Sequence, residues 1–403
     1  MGSAEDDILD TNLLSFDGDF NKQVAELLAH IRLTRSEVEN LQYLLNDVTR
    51  AMNYIWPGAQ VHPFGSIITG LGIKTSDIDC YIEIPHYYAV DNPVIHAKQA
   101  LNRDKSRFSQ TFAITTAKVP ILKFVHVQTG FNCDINFSSL GGVRNSKLIA
   151  FLLNLDTRAL HLAIILKYWS KVYNFTGTNL MPNYALTMMV IFYLQVKSVL
   201  PSVAELQQCT VCLWVDDWNT AFYDDFAYMS DNVQSLYELL GGFFEYYNSF
   251  DFTQLVLSPY LGQPVDKQRL GDVNNLPIEY SLYKQKLNEK QCNVIKLDTA
   301  LCIQDPFEHS RNCSVAVFPK LFMKIRAHIV LAYKIFRERT CDDLLKEFFA
   351  MNVPNELKIP KKAKPNYGNR NRGIHKNQTN LRKEHAKKYY GQWRKYQGFK
   401  GPF

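Results

Sequence analysis

The sequence predicts an α+β protein in which a small strand-rich unit precedes a larger helical one. Three observations predict it. Residues Val61 to Phe137 hold runs of β-branched and aromatic residues broken by turn chemistry. From Ser146 to about Phe348 the pattern is mainly helical. From Lys361 to the end, thirteen Lys and Arg stand against one acid, Glu384, in a composition that cannot build a core. The 403 residues, 46% hydrophobic and 13% aromatic, suffice for two packed domains.

Taken in order, Phe20 to Asn53 reads as helix. Val24, Leu27, Leu28 and Ile31 recur at helical period, and Thr34 to Glu37 matches a capping box before a second helix. Phe64-Gly65-Ser66 follows. Gly65 lets a backbone approach closely, and the step offers an N–H and a hydroxyl suited to phosphate. The run Asp77 to Ile84 reads as a strand, so Asp77 and Asp79 project to one side with Ile78 beneath. Two carboxylates that close repel unless a cation lies between them. Mg²⁺ is commonly held by one or two carboxylates plus substrate phosphates. The combination suggests a metal-dependent reaction on a nucleoside triphosphate.

A hairpin supplies the third acid. Val119 to Val127 reads as a strand, Gln128 to Phe131 as its turn, and Asn132 to Phe137 as the return strand. Asp134 alternates with Cys133 and Ile135, so it faces away from the apolar side. An acid mid-strand needs a partner. A metal bound by Asp77 and Asp79 would serve, and so would a nearby Lys such as Lys123.

The set Phe64-Gly65-Ser66, Asp77-x-Asp79, Asp134 resembles the signature of DNA polymerase β-like nucleotidyltransferases. The wider match is to non-canonical poly(A) polymerases and terminal uridylyltransferases. It continues through Leu166 to Lys171, Pro182 to Leu186, Phe243 to Phe252 and Ile303 to Glu308, covering roughly residues 15 to 350. The resemblance implies a small mixed-sheet catalytic domain packed against a larger, discontinuous helical domain, with the nucleotide between them. Domain limits follow: N-terminal helices 15–50, partly completing the helical domain; the nucleotidyltransferase domain 51–143; the helical domain 144–355; and a basic, disordered tail 356–403.

The resemblance also implies roles. Asp77, Asp79 and Asp134 would hold two Mg²⁺ or Mn²⁺ ions, which assist attack of an RNA 3′ hydroxyl and departure of pyrophosphate. Gly65, Ser66, Lys167 and Lys171 would meet the triphosphate, and Asn145 the sugar. Lys167 and Lys171 share a helix face, for which an ordinary basic surface is the lesser alternative. Tyr184 would stack on the base, although the apolar run after it also fits plain core. Asn183 stands where the family often has Ser. Asp305 and Glu308 match acids at the base end of the pocket. Arg311 stands where uridylyl enzymes often carry His, and His309 lies beside Glu308. A bulky group there would crowd a purine, so UTP is favoured over ATP. The readings, in order, are an RNA uridylyltransferase, a poly(A) polymerase, and an inactive transferase scaffold that binds RNA.

Charge separates the tail from the body. Lys361 onward carries +12; since the chain carries +6, residues 1–360 carry −6. Lys361, Lys362, Arg382, Lys383, Lys387, Lys388, Arg394 and Lys395, interleaved with aromatic rings, suit single-stranded RNA. A nuclear import signal and a solvating tail are the alternatives. RNA choice would come from the cleft, the tail or a protein partner. The acidic start is unlike a secretory signal, and the longest apolar run, Ala185 to Val196, is too short to span a membrane. The eight cysteines are expected to be reduced; Cys209 and Cys212 lack the partners a zinc site needs. An intracellular protein is expected, with the cytoplasm preferred to the nucleus.

Overall fold

A computed structural model describes residues 4–117, 119–208 and 210–351. The chain runs α1 (Ala4–Leu9), α2 (Phe20–Ile31), α3 (Arg35–Ile55), β1 (Gln60–Phe64), β2 (Ile78–Glu83), α4 (Pro93–Arg103), β3 (Phe108–Ile114), β4 (Ile121–His126) and β5 (Asn132–Asn136). It continues with α5 (Gly141–Asn154), α6 (Thr157–Val172), α7 (Asn183–Val196), α8 (Val203–Gln207), β6 (Trp214–Val215), β7 (Trp218–Asn219) and α9 (Leu236–Ser249). Then come β8 (Leu255–Ser258), β9 (Gln263–Asp266), α10 (Lys267–Gly271), α11 (Ser281–Asn288), α12 (Pro319–Glu338) and α13 (Leu344–Phe349).

The predicted capping box forms. Thr34 Oγ1 accepts from the Glu37 N–H at 3.3 Å, and Glu37 Oε2 accepts from the Thr34 N–H at 2.7 Å. The two helices on either side of it serve different cores. Phe20, Val24, Leu27 and Ile31 of α2 are buried in the larger, helical core. Leu41, Leu44, Val48 and Met52 of α3 are buried in the smaller core under the sheet. The segment 15–50 is therefore divided, because each helix goes where its own apolar stripe finds cover.

The five-stranded sheet has the order β1-β2-β5-β4-β3. β2 and β5 are parallel, and the other pairs are antiparallel, so the sheet is mixed. Strand alternation gives it two faces. Ile78, Cys80, Ile82, Leu122, Phe124, Cys133 and Ile135 are buried with α3 and α4. Asp79, Lys123 and Asp134 alternate with them and take the opposite face.

The helical unit is built around α7, where Ala185 to Gln195 are buried without a break. The long apolar run is thus a central core helix, covered on all sides. Among the described residues no single helix is long and apolar enough to cross a membrane. The β6–β7 turn meets the loop after β5, where Ser139 Oγ donates to Asp216, and just past β7 the Thr220 carbonyl accepts from Arg144 Nη2 of α5 at 2.8 Å.

Helices α9 and α12 pack through Gly241, where a Cβ would stand 2.1 Å from Phe336 Cε2. Alanine in a helix interior is otherwise favoured over glycine by about 1 kcal/mol. Overlap with the ring should reverse that sign, so Gly241→Ala is expected to cost about 1–3 kcal/mol. The denaturant midpoint measures it; an unchanged or higher midpoint would mean that Phe336 swings aside freely.

Candidate active site

Register assembles the acidic residues. Phe64 pairs with Asp79 across β1 and β2, and Asp79 pairs with Asp134 across β2 and β5. Neighbouring strands lie about 4.8 Å apart, so Asp79 and Asp134 stand side by side on the open sheet face. Asp77 falls just before β2 and is exposed. Burial, then the charges of Asp134 and Asp77, push the Asp79 carboxyl up to about 7, against the pull of Lys123 and Lys167.

Lys123 pairs with Asp134 across β4 and β5, and its Nζ contacts Asp134 Oδ2. That contact takes up one oxygen of Asp134, the third acid of the expected set. Among the described residues no three His, Cys, Asp or Glu side chains stand close enough to hold one ion. The physical reason is local: three crowded carboxylates repel, and the nearest cation has drawn one of them to itself. The donors still suit a hard divalent cation such as Mg²⁺ or Mn²⁺. They are all carboxylate oxygens, two lie side by side, and the Asp79 carboxyl, raised by burial and then by its acidic neighbours, is one whose charged form a cation would favour. Asp134 could join them by sharing its oxygens between Lys123 and the ion.

The turn after β1 presses on this cluster. Gly65 has φ +77°, and a Cβ there would stand 2.3 Å from Asp79 Oδ2. The Gly65 N–H donates to Ser146 Oγ at 2.8 Å, and Ser146 in turn donates to the Gly142 carbonyl at 2.8 Å. Ser66 lies in the same turn, its carbonyl accepting from Thr69 Oγ1 at 3.2 Å. Ser146 went unrecognised because nothing in sequence shows that α5 will dock against the turn.

Lys167 and Lys171 both point from α6 to the segment leading into β2. Lys167 Nζ donates to the Leu71 carbonyl at 2.6 Å and to Ser76 Oγ at 3.2 Å. Lys171 Nζ reaches Thr75 Oγ1 at 3.4 Å. Lys167 is buried, and burial followed by the Lys171 charge lowers its ammonium to about 7, opposed by Asp79 and Asp77. Neither is an ordinary surface lysine. Asn145 sits on α5 beside Ser146, and its Oδ1 is buried with no hydrogen-bond partner among the described residues.

A second cluster gathers at the start of α7. Asn183 is exposed and Tyr184 half-buried. The Tyr184 hydroxyl donates to Asp305 Oδ2 at 3.1 Å. Asp305 is 1% exposed, and its Oδ1 accepts the N–H groups of Phe307 and Glu308, both at 3.0 Å. The Arg311 guanidinium lies 5.9 Å from the Tyr184 ring centroid, 3.7 Å from Asp305 Oδ2 and 3.9 Å from Glu308 Oε2. Tyr184, Asp305, Glu308 and Arg311 are thus brought together. His309 is not with them. Its ring packs against Tyr260, Tyr280 and Trp218, with centroids 4.1, 5.1 and 5.6 Å away, and burial pushes its imidazole down to about 3. The loop turns His309 into the aromatic core, so a base-reading role for it is withdrawn. Lys361, Lys362, Arg382, Lys383, Lys387, Lys388, Arg394 and Lys395 lie outside the described residues, as does the whole expected tail 356–403.

Comparison with known proteins bears on both clusters. Residues 20–154 match the central palm domain of mitochondrial-like poly(A) RNA polymerases. Residues 235–311 match the Cid1 family of poly(A) polymerases. The speckle targeted PIP5K1A-regulated poly(A) polymerase of Xenopus tropicalis is 25% identical over 79% of this chain and 44% of its own length. Human terminal uridylyltransferase 7 is 29% identical over 50% of this chain and 15% of its own. The chain thus spans less than half the length of either relative. The crystal structure of mtPAP in complex with UTP shares the fold, with a TM-score of 0.70 at 22% identity, covering 85% of this chain and 73% of that one.

Proposed function

We propose, on the premise that the chain belongs to the family of non-canonical poly(A) polymerases and terminal uridylyltransferases, that it extends RNA 3′ ends without a template and prefers UTP. The observation that carries the reading is the pairing of Asp79 with Asp134 on the open face of a mixed sheet, with Asp77 and Gly65 beside them. In the proposed reaction the terminal 3′ oxygen of RNA bonds to the α-phosphorus of the nucleotide. The bond to pyrophosphate breaks, and the hydroxyl proton goes to solvent. Divalent ions held by the three acids would acidify that hydroxyl and offset charge on the leaving group.

The chain's own residues supply positioning. Lys167 and Lys171 put two amino groups beside the approach to Asp77, and triphosphate charge gathering there would favour the protonated form of Lys167. Tyr184, fixed through its hydroxyl by Asp305, offers a ring face on which a base can stack. Arg311 near that ring favours a pyrimidine, because a guanidinium already beside the stacking surface leaves less room for a purine. The ATP reading draws on the Xenopus relative, which is named a poly(A) polymerase.

The test is extension of a generic single-stranded RNA with each nucleotide separately, in Mg²⁺ and in Mn²⁺. UTP should be incorporated with a several-fold higher kcat/KM than ATP. Preference for ATP would overturn the base assignment alone; no incorporation of either would overturn the transferase reading.

A further inference from the structure

Lys123, Asp134 and Asp79 form one row across three neighbouring strands, since Lys123 pairs with Asp134 and Asp134 pairs with Asp79. The row is fixed by backbone register. Lys123 alternates with buried Leu122 and Phe124, so its side chain has only the acidic face to occupy. Its Nζ contacts Asp134 Oδ2, and the pair is partly shielded, with side chains 37% and 19% exposed. The same ammonium also feels the charges of Asp77 and Asp79. A lysine in the middle of a strand paired on both sides costs side-chain entropy and forgoes the packing an apolar residue would give. Its place is explained by the acids it faces.

A fixed positive charge here has two opposed effects on a divalent ion. It orients the Asp134 carboxylate through one oxygen and leaves the other free to accept. It also repels the ion, because like charges this close interact even where water partly screens them. Lys167 adds to the repulsion from the α6 side.

We propose that Lys123 is a positioning residue that holds Asp134 and keeps the bare acidic site weak for divalent ions, so that firm ion binding waits for the negative charge of a nucleoside triphosphate. This rests on the reading that Asp77, Asp79 and Asp134 hold divalent ions. Ion uptake and nucleotide uptake are then coupled: each raises the affinity for the other, by an equal factor. A site without the lysine would fill with metal first and lose that order.

The experiment is a Mn²⁺ titration followed by calorimetry or by the electron paramagnetic resonance of free Mn²⁺, without and with a non-hydrolysable nucleoside triphosphate. Wild type, Lys123→Met, Lys123→Arg and Asp79→Asn are compared, with Lys123→Gln replacing the Met variant if that fails to fold. Without nucleotide, Lys123→Met should bind Mn²⁺ about tenfold more tightly than wild type, by removing one like charge. Its gain in Mn²⁺ affinity on adding nucleotide should shrink by a similar factor. Lys123→Arg, which keeps the charge, should resemble wild type. Equal Mn²⁺ affinity and equal nucleotide coupling in wild type and Lys123→Met would overturn the role of Lys123. Mn²⁺ binding in Asp79→Asn as tight as in wild type would overturn the metal reading beneath it.

Discussion

Asp79→Asn should abolish nucleotidyl transfer, by about 10³-fold or more, while making the protein harder to unfold at neutral pH. The two effects share one cause. Asp79 is shielded from water and crowded by Asp134 and Asp77, so its charged form is disfavoured in the fold. An unfolded chain releases this proton near the ordinary value of 3.8, and the folded chain holds it to about 7. Below the lower value both states are protonated and stability is whole. As pH rises from about 4 to 7 the unfolded state is favoured progressively, by an amount on the order of a few kcal/mol. Lys167 acts in the opposite sense at higher pH. Its folded value of about 7 lies below the ordinary 10.5, so stability recovers between them.

With divalent ions chelated, the thermal midpoint of the wild type should therefore pass through a minimum near neutrality. Asp79→Asn should lose the acidic limb of that curve and keep the alkaline one. Scanning fluorimetry from pH 4.5 to 10 in chelator, beside a primer-extension assay, measures both. An acidic limb equally steep in wild type and variant would refute the electrostatic account of Asp79. Transfer retained within tenfold would remove Asp79 from the reaction. An asparagine that stabilises while it inactivates would show that the site is held in strain for its chemistry.

How much of this was legible in the sequence depends on the range of each interaction. Strand period alone places Asp79 and Asp134 opposite their apolar neighbours, because that rule is local. The capping box of Thr34 and Glu37 was legible for the same reason. What aligns Asp79 with Asp134 is a parallel pairing between strands separated by α4, β3 and β4, and no short-range pattern states its register. The pairing of Lys123 with Asp134 was visible as an alternative, since hairpin neighbours are close in sequence; that it would hold one corner of the acidic cluster was not. The acceptor of the Gly65 N–H, Ser146, was not legible because it arrives from α5, eighty-one residues on. His309 was misread for a different reason: a turn from Asp305 to Arg311 decides which side chain faces Tyr184, and adjacency along the chain does not reveal it.

Gly65→Ala should reduce transfer by about 10²-fold and leave the fold in place, which separates the packing of the turn from the chemistry of the acids. Two costs meet at this position. With φ at +77° any L side chain is strained, by about 1–3 kcal/mol. The added methyl would also stand 2.3 Å from Asp79 Oδ2 and 3.2 Å from its Cγ. Asp79 has little room to yield, since Asp134 flanks it on the next strand and Phe64 on the previous one. The turn has little room either, because Ser146 holds the Gly65 N–H. One of them must move, and either movement shifts Asp79 relative to Asp134. Gly130→Ala separates strain from clash. Gly130 has φ +74° but nothing within 4 Å of its added Cβ, so that variant should lose comparable stability and keep its transfer rate. If Gly65→Ala matched Gly130→Ala in kcat/KM, close approach of the turn to Asp79 would have no part in the reaction. If both lost activity alike, general destabilisation would account for the loss. Restoration of activity in Gly65→Ala by a second change, Ser146→Ala, which releases the turn, would locate the fault in the placement of Asp79.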